Sequence, residues 1–209
     1  MTQSKGIAYG LLVILLALMA CSTAPPDAAQ QKEPEPPPEP IDGQTAFFRM
    51  YNAARMNWSN DAQGLRLESI ELEQVPSAEG KYGAWRAAFV SPSMRRTAVF
   101  NYSVIEAGGK LQQGVFQDHE EGFTESRSQP WPVSALKTSS AQAVAKAKEQ
   151  PQAKKYVGEH PGMPIMILLE QTHRHPNLTW RVVWGSSVST SGFSVFVDAS
   201  TGEFLEVMR

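Results

Sequence analysis

TWRVVW, residues 179–184, repeats AWRAAF, residues 84–89, so that Trp180-Arg181 falls on Trp85-Arg86 at an offset of 95 residues. Each stretch is apolar and aromatic around its arginine, a composition common in strands. Each also precedes a hairpin. After the second comes FSVFVDASTGEFLEV, residues 193–207, in which Phe193, Val195 and Val197 alternate with Ser194, Phe196 and Asp198 before the turn. The Asp198 carboxylate can accept backbone N–H bonds from the residues that follow, and Gly202 can take the positive φ that closes such a loop. After the first comes TAVFNYSVIEAGGKLQQGV, residues 97–115, where Gly109 corresponds to Gly202, Val104 to Val197 and Leu111 to Phe204 at an offset of 93. A loop absorbs the two-residue change in offset.

The repeat extends upstream. Thr45 to Met56 places Phe47, Met50, Tyr51 and Ala54 at i, i+3, i+4 and i+7, which is one face of a helix. Ser140 to Tyr156 is the second helical stretch, with Ser139 or Ser140 as N-cap, an apolar face of Ala143, Val144 and Ala147, and Pro151 positioned to kink or end it. A strand is expected after each helix, over Leu65–Leu72 and Met163–Gln171. The pattern predicts an α+β fold of two tandem units, each one helix packed on an antiparallel sheet of about four strands. The first unit spans 44–117, a connector 118–137, and the second unit 138–209. Each is about 70 residues, marginal alone, so the two are expected to pack together, with Trp131 sealing the contact.

The second unit resembles the PepSY domain of peptidase propeptides and bacterial envelope proteins. The matching residues are TWRVVW, GFSVFV and the turn DASTGEFLEV. The first unit is similar to a divergent copy, since Ile105-Glu106-Ala107-Gly108-Gly109 lacks the aspartate. The resemblance implies a binding role without catalysis.

The first twenty residues read as a secretion signal, with Lys5 as the positive end and Ile7 to Ala20 as the apolar run. That run is shorter than the ~20 apolar residues a membrane span needs. Leu18-Met19-Ala20-Cys21 resembles the lipobox of bacterial lipoproteins, which makes Cys21, the only cysteine, the expected site of lipidation by diacylglycerol and palmitate-type acyl chains. The competing reading is an ordinary cleaved signal with a stray cysteine, or an uncleaved one. Several acyl chains, at ~0.8 kcal/mol per buried methylene, make a stable anchor. Ser22 after the cysteine favours the periplasmic face of the outer membrane over the inner membrane. Residues 21–43 form a Pro/Glu-rich tether, extended to on the order of 60 Å over twenty residues at ~3.1 Å each.

Chemistry is sparse along the chain. A net charge of −2 offers no basic surface for nucleic acid. The serine-rich run GSSVSTSG, residues 185–192, lacks a nucleophile elbow. His173 and His175, with His160, are the one set that suggests a metal, but the pair sits beside Pro176-Asn177 at an expected loop tip with no acidic or thiol ligand nearby. No metal or other cofactor is expected. The carboxylates Glu68, Glu71, Glu120 and Glu121 and the arginines Arg95 and Arg96 read as solvated faces and turns. Of the tryptophans, Trp85 and Trp180 are expected in the core, while Trp58 and Trp184 are the less constrained pair. The expectation is a lipid-anchored envelope protein, not an enzyme, that binds another envelope protein and acts as a peptidase inhibitor or chaperone. The alternative is a structural or assembly factor of the outer membrane.

Overall fold

A computed structural model describes residues 37–124 and 128–209. The signal stretch 1–20, Cys21 and the tether as far as residue 36 lie outside the described residues. In chain order the elements are β1 (Ile41–Asp42), α1 (Gly43–Asn57), β2 (Gln63–Ile70), β3 (Lys81–Tyr82), β4 (Ala84–Ser91), β5 (Arg96–Ser103) and β6 (Gly114–Gly122). They continue with β7 (Ser128–Gln129), a short 3-10 turn over Val133–Ala135, α2 (Ser140–Glu149), α3 (Pro151–Glu159), β8 (Ile165–Thr172), β9 (Thr179–Trp184), β10 (Phe193–Asp198) and β11 (Phe204–Met208). The fold is α+β, as the periodicities imply.

The helix limits follow from local chemistry. Asp42 caps α1 by accepting from the Thr45 N–H at 3.0 Å. Ser139 and Gln142 form a reciprocal capping box at the start of α2. Pro151 ends that helix as expected: Gln150 is left extended between the two, and Pro151 becomes the first residue of α3. Ile41 and Asp42, assigned to the tether by composition, belong to the fold through the β1–β3 pairing. β6 likewise runs beyond residue 117 to Gly122, because its register with β5 continues to Arg96.

The expected pair of separate sheets is corrected to one. A single antiparallel sheet of nine strands runs in the order β11-β10-β9-β8-β2-β4-β5-β6, with β7 also paired to β8. The stretch after α1 supplies one end of the sheet and the stretch after α3 supplies the other. They join where β2 meets β8, in the register Arg66↔Glu170, Leu67↔Leu169 and Glu68↔Leu168. The Ser69 hydroxyl extends the join by accepting from the Ile167 N–H at 2.9 Å. Two separate sheets would leave both of these strands with unpaired backbone groups, and pairing removes those two edges.

All three helices lie on one face. α1 crosses β4 and β5, and α2 crosses β9 and β10. One apolar core fills the space beneath, combining Phe47, Trp85, Phe89 and Phe100 with Ile167, Trp180, Trp184 and Phe193. Trp184, less constrained by sequence, is therefore buried. Trp131 is fully buried as well, but its place is against Phe47 of α1 and Gly64 of β2, where its backbone bridges to Gly64. The connector thus closes one end of the shared core.

Candidate functional site

The two Trp-Arg pairs occupy matching places. On the helix face, the Trp85 indole N–H donates to the Ile41 carbonyl at 3.0 Å, and the Trp180 indole N–H donates to the Thr138 carbonyl at 2.9 Å. Ile41 precedes the N-cap of α1, and Thr138 precedes the N-cap of α2. Each tryptophan therefore ties its strand to the entry of the helix above it. The two helix starts also meet. The Ser140 hydroxyl, fully buried, accepts from the Gly43 N–H at 2.7 Å and donates to the Gly80 carbonyl at 2.6 Å. A Cβ on Gly43 would stand 2.8 Å from Trp85 and 3.1 Å from Trp180, so both indoles converge on this one glycine.

The paired arginines point to the opposite face, which carries no helix. Arg86 donates from Nε to the Asn101 amide oxygen at 3.2 Å and meets Glu68 at 3.4 Å. Arg181 donates from Nε to the Ser194 hydroxyl at 3.2 Å, and its guanidinium lies 5.2 Å over the Phe196 ring. The strand registers line up Asn101, Arg86, Glu68, Leu168, Arg181, Phe196 and Glu206 as one row across this bare face.

A groove of about 1210 Å³ opens on the bare face over β8, β9 and β10. Arg66, Ser128 and Glu170 mark one end, with Ser128 donating to Glu170 at 2.9 Å. Leu168 and Phe196 form the middle of the floor. Met166 and Met208 mark the other end, overhung by Val188 from the 185–192 loop. That serine-rich loop is held by its own bonds, among them Thr190 N–H to the Ser187 hydroxyl at 3.2 Å.

The turns match their sequence signals. Asp198 Oδ1 accepts from the Ser200 and Thr201 N–H groups at 2.8 and 2.9 Å, and Gly202 sits at φ +78°. Gly108 and Gly109 take φ +58° and +65° at the corresponding turn in the first half. The histidines are not brought together. His160 stacks on Tyr156, and His173 lies 3.3 Å from Gln129 Nε2. His175 lies in the β8–β9 loop as expected but is not exposed there, because its ring packs on Phe196 at 4.5 Å with only 13% of the side chain exposed. Burial lowers its pKa, opposed by the Glu206 carboxylate 3.1 Å from its Nε2. Glu206 is itself held below its ordinary value, mainly by a hydrogen bond from Arg174 at 2.9 Å. Among the described residues, no three His, Cys, Asp or Glu side chains are placed to hold a metal ion.

One polar cluster was not anticipated from sequence. Asp61 accepts from the Ser59 and Ser91 hydroxyls at 2.6 Å each and from the Ser93 N–H at 2.9 Å. These bonds hold its carboxyl well below the usual range. The cluster fastens the β4–β5 turn, where Arg95 has φ +54°, to the loop after α1. The only signal for it was the Ser-x-Asp and Ser-x-Ser spacing in two loops distant in sequence.

The outer strands differ. β6 carries Asp118, Glu120 and Glu121, with Glu120 paired to Arg96, and it is bulged against β5. β11 is also bulged, at Leu205 against β10, but it carries one charge, Glu206, and leaves Phe204 and Leu205 exposed at 37% and 41%. Among the described residues, no helix is long and apolar enough to cross a membrane. No family model, no curated protein and no solved structure matches the chain.

Proposed function

We propose that this is a lipid-anchored envelope protein, acylated at Cys21, whose folded part is a non-catalytic module that receives a strand from another envelope protein. In this reading it is a tandem of PepSY-like units fused through one sheet, the second spanning 138–209 and the first a divergent copy. The matching bonds of Trp85 and Trp180 to the entries of α1 and α2 favour the repeat. The observation that carries the binding role is the contrast between the two sheet edges. Natural sheets blunt their edges with charge and bulges; both outer strands here are bulged, but only β6 adds a run of charge. β11 offers a short apolar edge with unpaired backbone groups, which is the surface that strand addition uses. An acyl anchor and tether would confine this edge near the membrane and raise its effective concentration for a partner there.

The test is site-specific photocrosslinking in intact cells, with the full-length protein carrying a photoreactive residue at position 205. One recurrent envelope protein should be captured, and a lysine placed at the neighbouring Phe204 should abolish capture without changing the amount of protein. Capture that tolerates the edge lysine would remove the strand-addition mechanism. Turnover of an envelope substrate by the purified full chain would remove the non-catalytic reading. A membrane-associated peptidase among the products would make the module an inhibitor or chaperone of that enzyme.

A further inference from the structure

We draw no further inference here: the strongest candidate, the open groove on the bare sheet face over β8, β9 and β10, has Arg66 and Arg174 already paired with Glu68 and Glu206, and nothing in the structure shows what covers it.

Discussion

Ser140→Ala removes one oxygen atom from the place where the two helix entries meet. That oxygen accepts from Gly43 N–H at 2.7 Å and donates to Gly80 C=O at 2.6 Å, in a position with no exposure. Alanine keeps the helix propensity of the site or improves it slightly, so the loss is confined to these two bonds. Neither orphaned backbone group can reach water, and each buried unsatisfied group costs about 1–3 kcal/mol. Together they should destabilise the protein by about 2–4 kcal/mol, with some relief if the backbone shifts. Against a typical total of roughly 5–15 kcal/mol this is a large fraction. The assay is urea unfolding of the full chain followed by tryptophan fluorescence, since Trp85 and Trp180 flank the site. Ser139→Ala is the control, because it removes an ordinary N-cap worth about 1 kcal/mol. Ser140→Ala should cost clearly more than the control and should leave one cooperative transition, as befits a core shared by both halves of the sheet. An effect equal to or smaller than that of Ser139→Ala would refute the bridging role. Two resolved transitions in the unaltered protein would refute the shared core.

Gly64→Ala should destabilise by about 1–3 kcal/mol through overpacking, because its Cβ would stand 2.5 Å from the Trp131 ring. A double-mutant cycle with Trp131→Phe should show coupling between the two sites. Trp180→Phe strips the Thr138 carbonyl of its indole donor and should cost ~2 kcal/mol in thermal or urea unfolding, with Trp85→Phe close to it if the two bonds are equivalent. The lowered pKa of His175 means that the folded state binds fewer protons than the unfolded state near pH 6.5 and below. Its contribution to stability is therefore present above about pH 6.5 and is lost as pH falls through the folded-state value. His175→Phe, which keeps a ring on Phe196, should flatten the stability profile between pH 7 and 5, and a slope unchanged from that of the unaltered protein would refute the assignment.

The sequence carried the local elements because their signals are local. Alternation and the Asp198 and Gly202 turn define the last hairpin, Ser139 and Pro151 delimit α2, and the doubled Trp-Arg motif marks equivalent strands in each half. Which edges would pair was not written in any such signal. β2 and β8 are each the first strand after a helix, and nothing in Leu65-Arg66-Leu67 or Leu168-Leu169-Glu170 distinguishes a partner in the other half from solvent. The choice is made by the unpaired backbone of two short sheets and by Ser69, whose hydroxyl prolongs the join. The candidate sites depend on the same event. The groove needs Arg66 from one half beside Leu168, Arg181 and Phe196 from the other, and fusing the two halves at β2 and β8 brings them together. The burial of His175 escaped the sequence for a related reason: Pro176-Asn177 signals a turn, but the burial of the residue before it depends on Phe196 and Glu206, which lie two and three strands further along the chain. The repeat thus specified the parts, while the groove on the bare face formed only from the way the parts were joined.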